Sequence, residues 1–191
     1  MNLNKLRDKA YRNAVAHGWH EENLSNEHLL CLLISELMEA VEADRKGWYA
    51  NVKRYNEITE NSLVCKSYNT RIPKEKEYII AYEETIKDSV EDELADACIR
   101  LLDFAGLREY DLDSFDYEGS GTEDYSRMSL TESMYRICVY VTDRSYSKDI
   151  CIILNEIFAF CRSRNIAIFW YIEQKMKYNE LRPYKHGNKK Y

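Results

Sequence analysis

The chain has 191 residues, with 27 lysines and arginines against 33 aspartates and glutamates and a formal net charge of −6. That length holds one sizeable core and at most a small appendage, which excludes two full enzyme domains, and the acidic balance argues against a protein that coats duplex nucleic acid. Nowhere does the chain supply the roughly 18 uninterrupted apolar residues of a membrane span, and no apolar run follows its polar start, so a soluble, cytoplasmic protein is expected.

With 6 glycines and 2 prolines, and apolar residues recurring at intervals of three and four, the chain reads as almost entirely helical, one all-α domain over 1–191. Residues 2–16 form a polar amphipathic helix that stops at Gly18. The next helix opens after Ser25 or Asn26 and runs through Leu29, Leu30, Leu33, Leu37 and Val41 to Gly47. Residues 48–74, rich in Asn, Lys and Glu and interrupted by Pro73, read as a polar surface insertion with at most a short helix.

A helical pattern resumes at Lys74, breaks near Lys87-Asp88-Ser89 and continues through Val90, Leu94, Ala97, Cys98, Leu101, Leu102 and Ala105 to Gly106. Residues 109–127 read as an acidic, flexible loop. Ser129 with Glu132 is a capping-box pair opening a helix with Met134, Ile137, Cys138 and Val141. A turn through residues 145–147 leads to a helix over 148–179, with a kink or break expected near residues 162–165. Four strongly apolar helices in hairpin-like order make a helical bundle the economical fold.

The six cysteines, Cys31, Cys65, Cys98, Cys138, Cys151 and Cys161, lack Cys-x-x-Cys spacing and mostly sit in apolar helical stretches, so reduced core cysteines are expected. His17, His20 and His28 have no cysteine or carboxylate at structural-zinc spacing and read as local polar or surface residues. Trp19, Trp48 and Trp170, with 16 tyrosines, are an unusual aromatic load. Core packing is the default for each, with base stacking or an interface as further roles.

Two acidic runs carry the chemistry. Glu36 and Glu39 stand three apart on one apolar helix, and Glu93 and Asp96 three apart on another, so each pair projects from one side of its helix. Glu93, Asp96, Arg100 and Asp103 form a single charged stripe, which must face water or a polar cavity. Like charges at this spacing destabilise an isolated helix and raise one another's pKa unless a cation answers them. Four converging carboxylates are hard ligands that suit Mg²⁺, with Mn²⁺ as the second choice. Such a centre is suited to phosphoryl chemistry, with Glu36 or Glu39 as the base for an attacking water. Near the C-terminus, Lys175, Asn179 and Arg182 follow intervals of four and three and share a helical face that could hold phosphates or a base.

The runs Ile34-Ser35-Glu36-Leu37-Met38-Glu39-Ala40, Asp92-Glu93-Leu94-Ala95-Asp96-Ala97 and Tyr178-Asn179-Glu180-Leu181-Arg182-Pro183-Tyr184-Lys185-His186-Gly187 resemble the all-alpha NTP pyrophosphohydrolase superfamily, in particular its MazG-like branch. That resemblance implies a MazG-like helical bundle, Mg²⁺-dependent cleavage of nucleoside triphosphates to monophosphate and pyrophosphate, and assembly as a homodimer or homotetramer. It implies Glu36, Glu39, Glu93 and Asp96 as metal ligands and Lys175, Asn179 and Arg182 as substrate contacts. The connection over residues 40–92 is longer than is usual in that family, with residues 48–74 as the insertion. The alternatives are a phosphohydrolase on another pyrophosphate, such as a nucleotide-sugar or dinucleotide, and a non-catalytic helical interaction module.

Overall fold

A computed structural model describes residues 2–60, 64–65, 70–71, 73–113, 123–143 and 149–185, with 64–65 and 70–71 described by their backbone. Among the described residues lie eight α-helices: α1 (Leu3–Ala16), α2 (Asn26–Lys46), α3 (Val52–Glu60), α4 (Lys74–Thr85), α5 (Val90–Leu107), α6 (Leu130–Thr142), α7 (Ile150–Ser163) and α8 (Ile168–Glu180). A 3-10 turn spans Tyr125–Arg127, and β1 (Val64–Cys65) pairs antiparallel with β2 (Thr70–Arg71), Val64 opposite Arg71. The all-α bundle stands, with that pair as a small addition to it. No helix of the described residues is long and apolar enough to cross a membrane.

Local chemistry sets the helix ends. Ser25 caps α2 by accepting from the His28 N–H at 3.2 Å, and Gly47 closes it in the left-handed region at φ 67°. Ser89 caps α5 through the Asp92 N–H, and Ser129 and Glu132 form the expected capping box at α6. The long C-terminal pattern breaks where Asn165 takes φ 56°, separating α7 from α8. The expected turn at 145–147 and the middle of the acidic loop fall at 144–148 and 114–122, outside the described residues.

Helix α5 is the axis of the bundle, packed against α1, α2, α7 and α8. Val90, Leu94, Ala95, Ala97, Cys98, Leu101, Leu102 and Ala105 are all buried, each large one contributing about 1.5–3 kcal/mol by leaving water. Helix α1 crosses α5 closely because Gly106 has no side chain: a Cβ there would meet the Tyr11 Cβ at 2.6 Å. On α2 the inner flank is Leu33, Leu37 and Ala40, with Leu29 and Val41 only half-buried.

The stretch 48–74 is more than a surface excursion. Its helix α3 packs on α4 and buries Tyr55 and Ile58, and the Tyr55 hydroxyl donates to Gln174 Oε1 of α8 at 2.9 Å. Tyrosines supply much of the packing here: Tyr82 stacks on Tyr178 with centroids 4.4 Å apart, and Tyr78 meets Tyr55 edge-on. Of the cysteines, Cys98 and Cys161 are buried and Cys138 and Cys151 half-buried, but Cys31 is exposed, because it lies on the outer face of α2. The Cys65 side chain lies outside the described residues.

Candidate functional site

The charged stripe of α5 faces a cavity of about 330 Å³ rather than bulk water. Glu93, Asp96, Arg100 and Asp103 all line it, as do Glu36 and Glu39 of α2, Lys175 and Asn179 of α8, and Arg182 just past its end. The seven residues read from the sequence as site candidates thus share one wall system, assembled because α2 and α8 both pack on α5.

One carboxylate oxygen from each of Glu36, Glu93 and Asp96 comes within 4.8 Å of the others. This group could coordinate a metal ion through hard oxygen ligands. A second such group, Asp88, Asp92 and Glu93, shares Glu93 with the first. Glu39 is outside both: it is exposed at the cavity rim and accepts from Ser35 Oγ at 3.3 Å.

Without a cation the cluster is uncomfortable. Burial, with the Asp96 carboxylate adding to it and Arg100 opposing it, lifts the Glu36 carboxyl to about 7. Burial lifts Glu93 to about 8, Lys175 opposing while Asp96, Asp92 and Glu39 add to the rise. Arg100 answers Glu36 directly, Nε to Oε1 at 3.0 Å.

Lys175 is buried and committed. Its ammonium lies 2.7 Å from Asp92 Oδ2 and 2.8 Å from Asp96 Oδ2, and these carboxylates outweigh the burial penalty to raise its pKa. Asp92, 1% exposed, also accepts from the Tyr82 hydroxyl and from the Asp88 N–H at 3.0 Å. Lys175 therefore ties α8 to a site carboxylate. Asn179, one turn on, is buried, and its Oδ1 has no hydrogen-bond partner among the described residues. Arg182 lines the cavity from the turn that follows α8, two residues past the end of the helix rather than on the shared helical face that its spacing suggests, and its carbonyl lies 3.1 Å from His17 Nε2.

Asp92 was not picked out by the sequence, although its spacing of four from Asp96 puts both on one face and could have marked it. Asn13 and Trp19 also line the cavity, and His20 reaches Asp103, Nε2 to Oδ1 at 2.7 Å. They arrive from α1 and the turn after it, so no spacing within α2, α5 or α8 could signal them. His20 is accordingly more than a local polar residue. Burial raises the Asp103 carboxyl, and the His20 hydrogen bond opposes the rise. No protein-family model, curated protein or solved structure matches the chain.

Proposed function

We propose that the chain is a Mg²⁺-dependent pyrophosphohydrolase that cleaves nucleoside triphosphates to the monophosphate and pyrophosphate. The observation that carries this reading is the convergence of carboxylates from α2 and α5 with Asn179 of α8 and Arg182 of the turn after it around one cavity. An anionic polyphosphate enters so acidic a cavity only alongside a cation, and a divalent ion held by Glu36, Glu93 and Asp96 would neutralise phosphate oxygens and polarise the scissile phosphorus.

Glu39 is the general base. Arg100 holds Glu36, whereas Glu39 stands exposed at the rim, where it takes the proton of the attacking water. As the water oxygen bonds to the α-phosphorus, the bridge to the β-phosphorus breaks and pyrophosphate leaves. Arg182 steadies the departing phosphates. Lys175, held by Asp92 and Asp96, keeps Asp96 aimed into the cavity.

Purified protein incubated with Mg²⁺ and a panel of nucleoside triphosphates, beside a Glu39→Ala control, tests the reading. Monophosphate and pyrophosphate released in equal amounts, and lost in the control, are expected. Absence of turnover with every triphosphate, while Mn²⁺ binding is measurable, would overturn it.

A further inference from the structure

The cavity has a second end that cleavage chemistry leaves unused. Along α5, Asp103 is seven residues beyond Asp96, about 10.5 Å at a rise of about 1.5 Å per residue, a distance that a ribose and a purine ring span. His20 Nε2 donates to Asp103 Oδ1 at 2.7 Å, which fixes the carboxylate plane and leaves Oδ2 to a ligand. Trp19 adjoins His20 in sequence and Ile99 precedes Asp103 by one turn, and both line the cavity. They give this end apolar walls for a flat ring.

A second observation points to a ligand: the buried Asn179 Oδ1 lacks a hydrogen-bond donor among the described residues. A buried unsatisfied acceptor is costly, and a cavity-lining one is relieved when a ligand N–H or O–H reaches it. A ribose hydroxyl between the phosphates and the base is placed to do so.

Resting on the nucleotide reading of this cavity, we propose that Asp103, oriented by His20, is the base-recognition residue and selects guanine. A carboxylate accepts only and can take hydrogen bonds at both oxygens, Oδ1 retaining a lone pair beside His20. Among the common bases only guanine presents two adjacent donors, N1–H and the exocyclic amine. Adenine and cytosine set a ring-nitrogen acceptor beside their amine, and uracil and thymine flank one N–H with carbonyls. Each of those turns a lone pair on Asp103.

Binding of GMP, IMP and XMP by calorimetry, and turnover of GTP, ITP and XTP, on the wild type and on Asp103→Asn test this. The amide keeps the oxygen to which His20 donates and replaces Oδ2 with a donor, which suits the 2-carbonyl of xanthine. The wild type is expected to bind GMP about tenfold or more tighter than IMP or XMP. In D103N the order of GMP and XMP is expected to reverse. Wild-type protein that ranks the three alike, or prefers an adenine or cytosine nucleotide, would overturn the assignment, as would equal weakening of all three in the variant. Should D103N not fold, the wild-type ranking alone decides. The guanine preference with no pyrophosphate from GTP would sink the hydrolase reading and spare this one. Hydrolysis without base preference would do the reverse, and no binding of any nucleotide would remove both.

Discussion

Lys175 and Asp96 are joined across the bundle: the ammonium of α8 sits 2.8 Å from Asp96 Oδ2 while holding Asp92 at 2.7 Å. A cation from one helix thus balances a site carboxylate and a wholly buried one on another. Removing one partner of a buried ion pair leaves the other charge stranded, at a cost of about 3–5 kcal/mol.

Lys175→Met should therefore lower the unfolding free energy by about that amount, about 3–5 kcal/mol, read as a fall in urea midpoint at unchanged slope. Mg²⁺ should restore part of the loss, since a bound cation relieves the same carboxylates. A loss below about 1 kcal/mol would place the pair with weak surface ion pairs instead.

Glu36 and Glu93 make the metal-free fold sensitive to pH. Their carboxyls sit at about 7 and about 8 in the folded chain against an ordinary value of 4.5. A raised carboxyl favours the fold while protonated, so its contribution is complete below about 4.5 and is lost as pH climbs through about 7 and about 8. Melting temperatures without metal should fall across that window, and the rise on adding Mg²⁺ should be larger at pH 8 than at pH 5.5, because metal binding must displace those protons. An increment from Mg²⁺ that is constant across the window contradicts this.

Much of this site is legible in the sequence because helical periodicity reports faces. The pairs Glu36 with Glu39 and Glu93 with Asp96, and the stripe through Arg100 to Asp103, follow from spacing alone and all reach one cavity. The caps at Ser25 and Ser129 are equally local, and the break read at Ser89 is where the cap of α5 lies. Adjacent acids were harder to separate. Glu91 accepts the Ala50 N–H, Asp92 is buried beneath Lys175 and Tyr82, and Glu93 lines the cavity, because each step turns about 100°. Pairings between elements far apart in the chain leave no spacing to read, which is why His20 with Asp103 and the buried role of Lys175 emerge only from the fold. In α3, Tyr55 and Ile58 stand three apart, but the polar residues around them mask the buried face.

Glu39 and Glu93 should separate chemistry from stability. Glu39 is exposed, so Glu39→Gln should leave the melting temperature nearly unchanged while lowering kcat by about 10²–10⁴, the range for removing a general base. Glu93→Gln removes a buried carboxylate with a raised pKa, so it should weaken Mn²⁺ binding and stabilise the metal-free fold at pH 8. Paired kinetic and thermal measurements on the two variants check this. A large loss of stability in Glu39→Gln, or undiminished turnover, would remove Glu39 from its assigned role.

Gly106 controls how α1 meets the site. A Cβ at this position would come within 2.6 Å of the Tyr11 Cβ and 3.4 Å of the Arg7 carbonyl oxygen, atoms close to the α1 backbone that cannot swing aside as a long side chain would. Gly106→Ala should push α1 outward at a cost of about 1–3 kcal/mol, typical of overpacking, despite the higher helix propensity of alanine. Since α1 and the turn after it carry Asn13 and Trp19 to the cavity, while the carboxylates stand on α2 and α5, the shift should raise KM more than it lowers kcat. Equal or greater loss in kcat would mean that displacing α1 disturbs the carboxylate cluster as well, and metal affinity measured on the same variant distinguishes the two.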